Sequence, residues 1–183
     1  KVVTGLKLAI EVRRQIKGGF LQETYAFTNP TEVPIYTGIK DIKIEIPFPD
    51  EYVNAPTSLT KRCHTHIWCG ENSSYVLGLR MGGVAPHLGL ILKEGSLAAY
   101  SVIRDQEQLS NDRGVFYLHL APMILAPGET KQLIWELHWV KDKLDFEKIH
   151  QSYPNQLQID LDHFVTLGEQ QVQGKLWVSE TLA

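Results

Sequence analysis

The sequence predicts an all-β fold: a large antiparallel β-sandwich with one short helix near its C-terminus. Three observations carry that prediction. Apolar residues alternate with polar ones in short runs along most of the chain, turn-formers separate those runs at hairpin spacing, and one stretch alone has helical spacing. Roughly nine or ten such runs, without internal repeat or heptad, fit two packed antiparallel sheets. At 183 residues the chain buries roughly 70% of its unfolded surface, enough for one core without staples.

In chain order, Leu8, Ile10 and Val12 alternate with Lys7, Glu11 and Arg13, and Gly18-Gly19 then turns the chain. Phe20 to Thr28 reads as a second strand, ended by Pro30 and Pro34, which cannot donate to a ladder. Between Asp41 and Pro47, Ile42, Ile44 and Ile46 face one way and Lys43 and Glu45 the other. Glu51 to Lys61 has no period and reads as a surface loop. Cys63 to Trp68, Ser74 to Met81, His87 to Leu92 and Leu97 to Ile103 follow as strands, then Arg104 to Gly114 as a second long loop and Val115 to Leu120 as a strand. Lys131 to Val140 places Leu133, Trp135, Leu137 and Trp139 on one face, where aromatics are expected in the core. Leu144 to Tyr153 is the helix, capped by Asp145 and stopped by Pro154. Residues 1–156 are expected to form the sandwich, and 157–183 a closing strand pair or a linker toward a following domain.

The stretch richest in chemistry is Cys63-His64-Thr65-His66-Ile67-Trp68-Cys69-Gly70. On an extended strand His64, His66 and Trp68 share one face while Cys63, Thr65, Ile67 and Cys69 share the other, so the histidines and cysteines cannot form one zinc site. The two cysteines would lie roughly 20 Å apart on a continuous strand, beyond disulfide reach, and are expected to be reduced thiols, which points toward the cytoplasm. Two readings remain for the histidine face. A tryptophan with Arg62, His64 and His66 suits a sugar, the indole stacking on a pyranose and the polar groups bonding hydroxyls. The loop residues Asn111, Asp112 and Arg113 could add to it. Alternatively, His64 and His66 ligate a metal in a cupin-like enzyme, with His87, His119 or His138 as third ligand.

No complete catalytic apparatus is visible. Glu71, Glu94, Asp105 and Asp112 are the carboxylates nearest the candidate segments, but sequence cannot bring any two to the spacing that glycoside hydrolysis needs. The nucleophile-elbow, phosphate-loop and His-Glu-x-x-His patterns are absent. A net charge of −3 leaves no basic field for nucleic acid and no polybasic patch for a membrane. Lys1 opens without an initiator methionine or a signal segment, and the chain reads as part of something longer.

Thr28-Asn29-Pro30-Thr31 with Pro34-Ile35, the strand Asp41 to Pro47, the stretch Arg62 to Gly70, His87-Leu88-Gly89-Leu90 through Gly95-Ser96-Leu97 to Tyr100, and Ser110-Asn111-Asp112-Arg113-Gly114 together resemble the N-terminal β-sandwich of a group of bacterial proteins that carry a glycosidase-like (α/α)6 barrel. The resemblance implies a galactose mutarotase-like supersandwich that packs on a catalytic barrel and lends loops to a sugar cleft, the general acid residing in the barrel. It therefore implies a domain that is noncatalytic alone, needs no cofactor, and has two partners: carbohydrate and the catalytic domain, hydrolase or phosphorylase, of the same polypeptide. A metal-dependent sandwich enzyme and a protein-interaction module are the alternatives.

Overall fold

The computed structural model describes residues 1–48, 50, 52–103, 114–163, 165–169 and 171–179. The described elements are β1 (Val2–Thr4), β2 (Ala9–Lys17), β3 (Phe20–Thr28), β4 (Ile35–Tyr36), β5 (Ile42–Glu45), α1 (Ala55–Lys61), β6 (Cys63–Trp68), β7 (Tyr75–Arg80), β8 (His87–Glu94), β9 (Leu97–Ile103), β10 (Val115–Leu120), β11 (Ile124–Leu125), β12 (Thr130–Val140), α2 (Lys143–His150), β13 (Leu157–Leu161) and β14 (Gly174–Val178). The larger sheet has the order β2-β3-β12-β8-β7-β6 and the smaller β1-β5-β10-β9. Every pairing within them is antiparallel. The all-β sandwich expected from alternation is therefore the observed fold.

Alternation decides which side chains meet. Ile42, Ile44, Phe116 and Leu118 of the smaller sheet pack against Phe27, Leu90, Leu92, Leu133 and Trp135 of the larger one. Each such side chain, fully withdrawn from water, contributes about 1.5–3 kcal/mol. The β2–β3 hairpin turns at Gly18 and Gly19, whose φ values of 53° and 94° side chains rarely adopt.

A second, smaller core lies on the outward face of the larger sheet, where Leu77, Ile91 and Val140 meet Phe146 of α2. Gly89 makes the seat: a Cβ there would collide with the Phe146 ring. The helix begins slightly earlier than the expected Asp145 cap. Asp142 is the N-cap, its carboxylate accepting the Asp145 amide at 2.8 Å, while Asp145 accepts the Lys141 amide at 2.9 Å. The turn after it holds Tyr153 and Pro154, which were expected inside or at the end of the helix.

Two expectations need correction. The segment read as loop from Glu51 to Lys61 contains the helix α1, so the described residues hold two short helices, not one. Asn54 caps α1 by accepting the Thr57 amide at 3.0 Å, and a proline stands in its first turn. Seven residues are too few for a period to emerge. Trp139, expected in the core, is 64% exposed. β12 is 11 residues long and faces strands of 4 and 6 residues in β5 and β10, so its last inward side chain projects past the smaller sheet. The tail forms the β13–β14 hairpin, tied to the sandwich through buried Gln156, whose side-chain amide donates to the Leu92 carbonyl at 3.4 Å.

Candidate functional site

Among the described strands, β6 is at the edge of the larger sheet and is joined to β7 alone. Its period of two turns His64, His66 and Trp68 outward, opposite Leu79, Leu77 and Tyr75, and leaves them exposed. Cys63 and Thr65 turn inward and are buried. Neither cysteine is in a disulfide, and burial pushes the thiols up, Cys69 to about 11, so both stay protonated at neutral pH. The Thr65 amide points away from β7 and donates to the buried Asp50 carboxylate at 2.8 Å. Trp68 folds its indole back over Gly70, where any Cβ would strike Nε1, and remains 36% exposed.

Beside β6 the outward face dips into a groove of about 290 Å³ between β7 and α2. Leu77, Leu79, Tyr75 and Phe146 give it apolar lining, and His66 and Lys143 are among its polar groups. His150 also lines it. This imidazole is 1% exposed, stacks on Phe146 at 5.7 Å and meets the Tyr75 ring edge-on at 4.8 Å. Burial drives its pKa down to about 4, partly countered by the Gln156 side chain, so the ring is neutral.

Farther along the same face stands a second polar grouping. The Tyr153 hydroxyl donates to Glu136 Oε2 and accepts from His138 Nε2 at 2.6 Å, which fixes the histidine proton on Nε2. Lys93 donates to Glu136 Oε1 at 2.7 Å. Burial raises the Tyr153 pKa far above the usual range, with Glu136 adding to the effect, and burial holds His138 below its ordinary value. Sequence reading passed over this network, because Tyr153 meets Glu136 only after α2 has folded back onto the sheet. His138 and His66 share a cross-strand row through Gly89 and Leu77, but Phe146 occupies the seat between them.

The candidate residues do not all come together. His64, His66 and Trp68 stand side by side, whereas Arg62, the C-cap of α1, lines a different cleft at the end of the sandwich. Asn111, Asp112 and Arg113 lie outside the described residues, as do Arg104 and Asp105. Of the proposed third metal ligands, His87 accepts the Arg80 amide at 3.0 Å and His138 is held by Tyr153. His119 belongs to the smaller sheet, bonded to Ser101 at 2.7 Å and the Ile39 carbonyl at 3.2 Å. Among the described residues no group of three His, Cys, Asp or Glu side chains is placed to hold a metal. His64 and His66 thus have no third ligand there.

By architecture the chain is an antiparallel β-sandwich whose larger sheet exposes a histidine- and tryptophan-bearing edge. Among solved structures it is similar to a polysaccharide lyase, with 32% identity and a TM-score of 0.78 over 88% of this chain. The match covers 24% of the lyase, so the chain spans about a quarter of that protein. No family model matches the sequence, and no curated protein does.

Proposed function

We propose that this chain is a noncatalytic, carbohydrate-associated β-sandwich domain of a larger polysaccharide-degrading enzyme. The carrying observation is the likeness to a polysaccharide lyase over nearly the whole of this chain and only a quarter of the lyase. It favours a lyase parent over the hydrolase or phosphorylase expected from the sequence. The supersandwich relation to mutarotase and an (α/α)6 partner domain are finer parts of the same reading. On the domain itself, Trp68 with His64 and His66 offers a sugar one stacking surface and two hydrogen-bonding rings. The exposed tail residues Val165, Leu167 and Leu176 give a second reading some weight, that of a surface which meets another part of the polypeptide.

The test combines turnover with binding. The chain is incubated with a panel of neutral and acidic polysaccharides while reducing ends are counted, and titrated with the same panel under NMR observation. The expected result is no turnover, with binding to at least one polysaccharide. Turnover that vanishes in His64→Ala/His66→Ala would restore the stand-alone enzyme. A complete lack of binding would leave only the interaction-module reading.

A further inference from the structure

The end of the sandwich where β12 overruns the smaller sheet carries a cleft of about 240 Å³, smaller than a drug-sized site and of the order of a single sugar ring. Its lining includes Lys61, Arg62, Arg80, His87 and Trp139, with no aspartate or glutamate among the described lining residues. A chain with net charge −3 has therefore gathered three permanent cations around one hollow. Trp139 contributes an aromatic surface that is 64% exposed.

The hollow is braced by its surroundings. Gly82 lets α1 approach so closely that a Cβ there would strike the Leu59 carbonyl. Arg80 donates to the Thr60 carbonyl at 3.0 Å, and the Met81 amide to the Arg62 carbonyl at 3.0 Å, which together pin the end of α1 to the end of β7. Gly78 leaves room for Phe48, whose ring would sit 2.9 Å from any Cβ and which helps wall the cleft. Because His87 Nδ1 accepts the Arg80 amide, the neutral ring carries its proton on Nε2 and offers a donor there. Cations, a ring donor and an indole are thus presented on fixed backbone, the arrangement that limits ordering cost on binding.

We propose that this cleft binds one acidic sugar unit, its ring stacked on Trp139 and its carboxylate or sulfate facing Lys61, Arg62 and Arg80. The proposal rests on the carbohydrate reading above and assigns the acidic sugar to a place other than the β6 face. A guanidinium matches the two oxygens of a carboxylate or sulfate, and the Asp50 carboxylate behind Cys63 is buried and accepts the Thr65 amide.

The experiment titrates the chain with trisaccharides of galacturonate, of mannuronate and of a sulfated hexosamine, and with neutral xylotriose and cellotriose, following the tryptophan indole resonances. Lys61→Glu and Trp139→Ala alter exposed side chains, and unchanged amide spectra establish that both fold. The expected result is that an acidic trisaccharide shifts the Trp139 indole, that salt weakens it, and that either substitution lowers its affinity about tenfold, while Trp68→Ala leaves it unchanged. Equal binding of neutral trisaccharides at Trp139 would overturn the acidic preference. An acidic trisaccharide that shifts Trp68 alone, or binds both cleft variants as well as the parent, would overturn the site and leave the carbohydrate reading standing. If no saccharide binds anywhere, both fall together.

Discussion

On the outward face of one sheet, two polar groupings of similar composition are held in opposite ways. Glu136, His138 and Tyr153 are bonded to one another, with Lys93 completing the carboxylate's partners. His64 and Trp68, three strands away on β6, stand exposed. A buried polar group has to be satisfied where it lies, and once satisfied it has little capacity for a ligand. An exposed one keeps its hydrogen-bonding capacity for whatever arrives. The inner grouping is thus a staple that fastens the turn after α2 to the sheet, while the edge grouping stays open to solvent.

The sharpest way to break the comparison is Glu136→Ala, which leaves Lys93 and the Tyr153 hydroxyl without their shared acceptor. It should destabilise the fold by about 3 kcal/mol, measured by chemical denaturation at neutral pH. A loss no greater than that of a surface substitution would mean that the network fastens nothing.

Acid should reveal the next effect. The folded pKa of His150, about 4, lies below its ordinary 6.5, so between those values the unfolded chain binds the proton more readily. Its contribution is whole above pH 6.5 and is lost as pH falls toward 4, at most about 3 kcal/mol. His138 and His119, also held low by burial, act in the same direction. Stability measured at pH 7 and pH 4.5 should therefore fall, and His150→Leu should flatten the slope. An unaltered slope in the variant would assign the acid sensitivity to other groups.

The smallest effect belongs to the edge. His64→Ala should shift stability by less than about 0.5 kcal/mol in the same denaturation assay. A larger loss would make this histidine part of the scaffold and erase the contrast with Glu136.

Local alternation made much of this molecule legible before its fold was known. Phe20 to Thr28, Leu97 to Ile103 and Val115 to Leu120 are strands with the bounds that their patterns indicate. The shared face of His64, His66 and Trp68 follows from the same local rule. What alternation cannot encode is how far the opposite sheet extends, and Trp139 was therefore assigned to a core that ends before reaching it. Nor does it encode encounters between distant segments. The end cleft joins α1, β7 and the end of β12, and the Glu136–Tyr153 contact depends on a helix laid across Gly89. A proline just inside an asparagine cap did signal α1, but seven residues gave that signal no periodic support.

The carboxylate of Asp50 that receives the Thr65 amide has a consequence for how copies of this chain behave in company. An edge strand offers alternate amides and carbonyls that a strand from another molecule can complete, the usual route to edge-to-edge aggregation. Midway along β6 that invitation is already answered from within, at 2.8 Å, by a buried charged group that an incoming strand would have to dislodge. A strand arriving at this edge would therefore find its ladder interrupted at Thr65.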